Sequence, residues 1–179
     1  MTFHSIVRSW CRIYKPMRDS KKNRRFFLTD STDGVVELAK GIKSFQSPCV
    51  VMESSIEGGG RIERPARNYP IYFFVKANKM SDGDAAAISK ELAWVHCRNF
   101  LTWLKVKHDK EVEDNIDGDF ARIALEDSFL DIQTIGPIEN GWFAILVQIE
   151  REEPLNLCID EDLYIEPTQE NDDETDDSE

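Results

Sequence analysis

Asn140-Gly141-Trp142-Phe143-Ala144-Ile145-Leu146-Val147-Gln148-Ile149 is the stretch that decides the fold. Asn-Gly between apolar runs is a strong hairpin-turn signal. The eight residues after it form the most apolar, β-favouring run in the chain. Upstream, Phe129, Asp131 and Gln133 alternate with Leu130, Ile132 and Thr134, so residues 128–149 predict a β-hairpin. Period-two alternation puts Trp142, Ala144, Leu146 and Gln148 on one face. Phe143, Ile145, Val147 and Ile149 fall on the other. Both faces are largely apolar, so the strand is expected to be central and covered on both sides. The Phe143 face has no polar break and reads as the intramolecular core. The Trp142 face, ending in Gln148, reads as a subunit contact made by Trp142, Ala144 and Leu146.

Ahead of this hairpin, Ser81-Asp82-Gly83-Asp84 opens a long helix, with Ser81 as its N-cap. The helix is expected to run from about Gly83 to His108, with Lys105, Lys107 and Lys110 suiting its C-terminal dipole. Ala86, Ala93, Cys97, Phe100 and Leu104 form one apolar stripe, and Ile88, Leu92 and Val95 a second. Two stripes predict burial on two sides, against a sheet and against another helix or subunit. One face of the central strand is expected under this helix, and the other under a neighbouring subunit or the N-terminal helix. The acidic stretch Asp109–Asp119 reads as a loop, without the ligand spacing of a calcium loop.

Further upstream, Cys49-Val50-Val51-Met52 and Tyr69-Pro70-Ile71-Tyr72-Phe73-Phe74-Val75-Lys76 are two β-forming runs. The segment between them, Gly58–Asn68, carries three consecutive glycines and then Arg61, Arg64 and Arg67. Those glycines lead into a strand, unlike a phosphate loop, which opens a helix. The segment reads as a mobile hairpin loop carrying Arg61, Arg64 and Arg67 to a partner, or as a solvated tip. Asp33 can cap a helix with apolar positions Val35, Leu38, Ala39, Ile42 and Phe45, and Pro48 lies just past its end. Phe26-Phe27-Leu28 leads into the domain. Phe3, Ile6, Val7, Trp10, Ile13 and Tyr14 recur at the helical period until Pro16. That amphipathic helix could dock on the core or on another subunit.

These elements predict an α+β fold, an antiparallel-rich sheet of two β-hairpins with one long helix and a shorter helix packed on it. The expected organisation is an N-terminal helix and basic linker over 1–25, one α+β domain over 26–158, and an acidic tail over 159–179.

Charge supports that division. The 179 residues carry a net charge of −12. Residues 1–30 hold eight Lys/Arg and two Asp, whereas residues 150–179 hold fourteen acids and one Arg. From Thr168 onward no residue is apolar, which predicts a disordered tail. An acidic chain is not a dedicated duplex-DNA binder. The basic stretch Lys15–Arg25 has no interleaved aromatics before Phe26 and reads as a phosphate patch, a solvated linker or a mate for the acidic tail. No stretch approaches the ~18–20 apolar residues of a membrane span, and Arg8 and Arg12 interrupt any signal-peptide core.

Catalytic chemistry finds little support. Cys11, Cys49, Cys97 and Cys158 are widely spaced, without a metal-ligand pattern. Cytosolic synthesis favours free thiols, and Cys49 and Cys97 read as core residues. His96 beside Cys97 would point about 100° away from it on a helix. No catalytic, cofactor-binding or metal-binding residues are therefore assigned, and no cofactor is expected.

From Phe26 to Cys158 the order of elements resembles tail-terminator-type proteins of tailed bacteriophages and prophages. Four segments carry the likeness: Phe26-Phe27-Leu28-Thr29-Asp30 with the helix after it; Ser47-Pro48-Cys49-Val50-Val51-Met52-Glu53; Phe73-Phe74-Val75-Lys76 before one long helix; and residues 140–149, closing with Pro154 and Cys158. The resemblance implies a non-enzymatic structural protein. Its copies would form a ring that caps the tail tube and joins it to the neck. Its partners would be itself, tail-tube proteins and neck proteins, with DNA only as passing cargo and no membrane. It would sit in the bacterial host cytoplasm during assembly and then in the virion tail. The alternative from a different class is a monomeric adaptor or inhibitor acting through an acidic, nucleic-acid-mimicking tail. An unrecognised enzyme is a third reading, opposed by the lack of a catalytic constellation.

Overall fold

The protein is described by a computed structural model. It covers residues 1–41, 46–54, 56–61, 64–77, 83–125, 130–138 and 141–153. The expected N-cap Ser81, the acidic tail and Cys158 lie outside these described residues.

Helix α1 (Phe3–Ile13) is followed by a short 3-10 turn at Lys15–Met17 and strand β1 (Phe26–Thr29). Helix α2 (Thr32–Gly41) leads to β2 (Cys49–Glu53), β3 (Ile56–Arg61) and β4 (Arg64–Lys76). Helix α3 (Gly83–Glu113), β5 (Asp131–Ile138) and β6 (Trp142–Glu152) complete the order. The six strands form one sheet in the order β1-β2-β4-β6-β5, with β3 also paired to β4. Among the described strands, only the β1–β2 pair is parallel. The fold is thus α+β with a mostly antiparallel sheet, as the hydrophobic pattern predicts.

β4 and β6 are the axis of the sheet. They pair without a break from Ala66↔Glu152 to Lys76↔Trp142. Their odd-numbered positions Tyr69, Ile71, Phe73, Ile145, Val147 and Ile149 join Val50 and Met52 on one face. Tyr72, Phe74, Trp142, Ala144 and Leu146 join Cys49 and Val51 on the other. A sheet apolar on both sides needs two covers, since exposed apolar area costs about 25 cal/mol per Å².

The first cover is α1 together with α3. Phe3, Ile6, Val7, Trp10 and Cys11 of α1 enter the same core as Ala93, Cys97, Phe100 and Leu104 of α3. Trp10 sits at their junction, stacked on Tyr14 (4.5 Å between ring centroids) and edge-on to Phe100 (5.1 Å) and Phe73 (6.0 Å). His96 is held there too, its Nδ1 sharing a 3.0 Å hydrogen bond with the Tyr14 hydroxyl. Burial pulls the His96 pKa down to about 4, so the ring stays neutral at physiological pH. Helix α1, drawn ahead of the domain in the sequence, is therefore built into its core. It lies on the same face as α3, not on the opposite one.

The second cover includes α2, whose Val35 and Ala39, with Leu38 beside them, pack into the Trp142 cluster. Residues Ile42 and Phe45 of the expected α2 stripe lie outside the described side chains.

The structure departs from or sharpens the sequence reading at four places. The stretch Gly58–Asn68 is strand rather than loop at residues 58–61 and 64–68, which belong to β3 and β4 and pair from Ile56↔Asn68 to Arg61↔Arg64 with a register shift between Ile56 and Gly58. Glycine run or not, its backbone amides and carbonyls continue the ladder. Phe26–Thr29 is a strand in its own right, delivered beside β2 by α2 as a parallel crossover; a four-residue edge strand carries too few alternations to announce itself. Helix α3 runs past His108 to Glu113, into the first half of the stretch expected to be a loop, and residues 114–119 are non-helical as expected. Glu111 and Glu113 are good helix formers, and Lys105 Nζ pairs with Asp109 Oδ1 at 3.1 Å, one turn on. Finally, the two α3 stripes differ in cover among the described residues: Ala93, Cys97, Phe100 and Leu104 are buried against the sheet and α1, but Ile88 of the second stripe is 58% exposed and Leu92 43%.

Since Phe73 and Trp142 are buried on opposite faces, truncation of either to Ala should destabilise the chain by about 3–5 kcal/mol. Thermal melts followed by circular dichroism should show both falling together. A Trp142→Ala chain that melts like the parent would contradict this placement.

Candidate interaction surface

The residues expected to contact a second subunit divide sharply. Trp142, Ala144 and Leu146 are 3%, 1% and 7% exposed in the single chain. They belong to the second core cluster with Phe27, Val35 and Tyr72, and Lys76 Nζ lies 5.7 Å from the centre of the Trp142 ring. The assignment of these three as an open subunit contact is therefore corrected: they are internal packing. The Phe143 and Trp142 faces differ in which helices cover them, not in whether they are covered.

The arginines occupy a different place. The β3–β4 pairing sets Arg61 opposite Arg64, and Gly58 opposite Arg67. Arg67 is exposed, and on its other side it is in register with Arg151 of β6. Register thus collects Arg61, Arg64 and Arg67 at one end of the sheet, on strands rather than on a loop.

That end is anchored by an ionic knot the sequence did not reveal. Arg151 is only 2% exposed. Its guanidinium donates to Asp119 Oδ1 (2.7 Å), Glu153 Oε1 (3.2 Å) and the Met1 carbonyl (3.1 Å). Asp119 Oδ2 also accepts from the Met1 amino group at 2.7 Å, and the Tyr69 hydroxyl donates to Glu153 Oε1 at 2.6 Å. Burial, with the Glu153 carboxylate beside it, pushes the Tyr69 pKa up to about 12. One side chain so joins the start of α1, the segment after α3, and the ends of β4 and β6. In the sequence Arg151 stands among glutamates in an apparently solvated acidic stretch. The alternation that puts it on the Ile149 face was the signal available.

A second buried carboxylate belongs to Glu53, the last residue of β2, which is fully buried. The Tyr72 hydroxyl donates a short hydrogen bond to its Oε1, and Thr32 Oγ1 donates to Oε2 at 3.4 Å. Burial and then this carboxylate push the Tyr72 pKa well up. Glu53 ties β2 to β4 and to the first turn of α2, a positioning role for the acid that closes the Pro48–Glu53 segment.

Nucleophile chemistry finds no footing in the three described cysteines. Cys11, Cys49 and Cys97 are free and buried, and burial raises all three thiol pKa values, Cys97 to about 12. Among the described residues, no group of three His, Cys, Asp or Glu could hold a metal ion, and no helix is long and apolar enough to cross a membrane. Of the basic linker, Asp19 Oδ1 accepts the backbone amides of Arg25 (2.8 Å) and Phe26 (3.1 Å). Arg25 donates to the Pro48 carbonyl at 3.0 Å, and Arg24 lies over the Phe27 ring at 5.0 Å. Arg24 and Arg25 thus serve the fold, while Lys15, Arg18, Lys21 and Lys22 remain exposed.

Removing Arg151 takes a partner from two part-buried carboxylates that keep Met1 and Tyr69, so the cost falls below the ~3–5 kcal/mol typical of a fully buried broken pair. Arg151→Leu should still lower the urea midpoint by far more than Arg67→Ser, which should hardly move it. Equal effects from the two would contradict the knot.

Compared with known proteins, the chain matches no family model and no curated protein.

Proposed function

We propose that this protein is a non-enzymatic structural component of a phage or phage-derived tail, whose copies close into a homo-oligomeric ring. The ring caps the tail tube and takes part in head–tail joining. Its partners are further copies of itself and the tube and neck proteins, and DNA passes through it as cargo. An acidic chain suits that last role, since it repels phosphates and lets a genome slide. On this reading the protein works in the host cytoplasm during assembly and then resides in the virion tail.

One observation carries the reading. Both faces of the central β4–β6 pair are closed by the chain's own side chains, but the margins of the sheet are strands. Self-association then runs edge to edge, and a heterologous edge contact closes into a ring when its rotation permits. The exposed Ile88 and Leu92 of α3 add apolar surface that a neighbour can cover.

Mass photometry over a range of concentrations, with electron microscopy of the protein mixed with tail tubes, tests the proposal. Rings of uniform size are expected, alone or on tube ends; a strict monomer in both settings overturns it. The arginines should matter to assembly and not to folding. Replacing Arg61, Arg64 and Arg67 together by Ser should weaken ring formation at low salt and flatten its salt dependence, because rim charges act chiefly through long-range attraction. Unchanged assembly would make the hairpin tip a solvated one.

A further inference from the structure

We propose that the partner of the β5 edge is β3 of a second copy of this chain, so that the ring is held by one continuous antiparallel sheet. This rests on the ring reading above and supplies its interface.

The margins of the sheet are not equivalent. On one side lie β1 and β3; on the other lies β5, with residues 122–124 bridged to β6 at Arg151 beyond its start. The β1 margin is short and capped. Both backbone groups of Phe26 are taken by the chain's own side chains, its amide by Asp19 Oδ1 and its carbonyl by Arg24 Nε at 3.3 Å. Such capping is how natural sheets block an edge from pairing. The β5 margin is different. Its residues Asp131–Thr134 are exposed. Among the described residues β5 pairs only with β6, in register from Asp131↔Gln148 to Ile135↔Ala144. The bulge at Gly136-Pro137 ends that regular stretch: Gly136 has φ +117°, and a Cβ there would meet the Trp142 carbonyl oxygen at 2.8 Å. Five residues, Asp131–Ile135, thus present a straight edge.

β3 is the complementary edge. Among the described strands it pairs with β4 alone, and Gly58-Gly59-Gly60 leaves its centre without side chains, where another backbone can approach closely. Direction agrees as well. β3 and β6 both run antiparallel to β4, and β5 antiparallel to β6. β5 therefore runs opposite to β3, and a neighbour related by rotation about an axis running roughly along the strands, as in a ring, presents its β3 antiparallel to β5. Charge agrees at the end where the two would meet. The start of β5 is Asp131 and the end of β3 is Arg61, with Arg64 opposite it. From residue 126 to 139 the sequence holds four acids and no Lys or Arg.

The geometry also suits closure. Asp131–Ile135 lies level with β4 positions 70–74, and β3 lies level with positions 64–68. The two edges are therefore offset by about six residues, or ~20 Å along the strands. Passing from one copy to the next takes four inter-strand steps, about 19 Å at ~4.8 Å each. Those two lengths tilt the strands by about 45°, at the upper end of the ~35–45° found in closed barrels.

Disulfide trapping in the full chain tests the pairing. Cysteine is placed on β3 (Gly58→Cys, Gly59→Cys or Gly60→Cys) in one preparation and on β5 (Ile132→Cys, Gln133→Cys or Thr134→Cys) in another, and mixtures are oxidised under assembly conditions. The unsubstituted chain controls for native thiols, and circular dichroism controls for folding. Mixed pairs should yield cross-linked dimers that neither partner yields alone, and chains with both cysteines should yield a ladder up to the closed ring. As a second variant, Thr134→Lys puts a charge on the exposed edge and should weaken assembly by about tenfold or more without shifting the melting temperature.

Rings that form without any β3–β5 cross-link, and that tolerate Thr134→Lys, overturn the edge pairing and leave the ring reading standing. Cross-linking of β3 to β3, or of β5 to β5, likewise overturns it. Open chains carrying the β3–β5 cross-link support the pairing and overturn the closed ring. No oligomer under any condition overturns both.

Discussion

Two adjacent strands that are apolar on both faces cannot be left with either face in water. β4 and β6 are such a pair, and their unbroken register from Ala66↔Glu152 to Lys76↔Trp142 constrains everything else. It calls α1 and α3 onto the face of Phe73 and Ile145, and α2 toward the face of Phe74 and Trp142. Trp10 links α1, β4 and α3 through ring contacts. Arg151 fastens the far end of the same pair to Asp119 and to the start of α1. The charged knot costs desolvation, but losing one partner would cost more, so the arrangement favours one docking of α1 over looser ones.

The same constraint directs function. With both faces spent on the internal core, the surfaces that the described residues leave for the proposed association include the strand edges, the charged end of β3 and β4, and the outer stripe of α3. Edge-to-edge association is open-ended unless curvature closes it, and the twist of strands supplies curvature. A protein built in this way is suited to holding neighbours in a fixed geometry, which is the work of a ring at the end of a tube.

Much of the fold was legible in the sequence because it is written in periodicity. The alternation of residues 142–149, the Asn-Gly turn and the stripe through Ala93, Cys97, Phe100 and Leu104 predict β6, its hairpin and α3. What stayed hidden depends on pairing between distant segments. Nothing local in Phe26–Thr29 says that it pairs in parallel with β2. Gly58-Gly59-Gly60 has poor strand propensity, and only the ladder with β4 makes it a strand. Trp142, Ala144 and Leu146 were legible as a face, but composition cannot tell a face covered from within from one covered by a neighbour. Arg151 and Glu53 were hidden for the same reason: a charged residue reads as solvated until its partners from elsewhere in the chain are seen.

Amide hydrogen exchange, compared between monomer and assembled protein, tests the central claim most directly, since it reports which backbone groups become paired. The account predicts new protection at residues 56–61 and 131–135, with little change across Trp142–Leu146, where the ladder is already complete. Protection gained elsewhere, with both of those edges exchanging as fast as in the monomer, would contradict it.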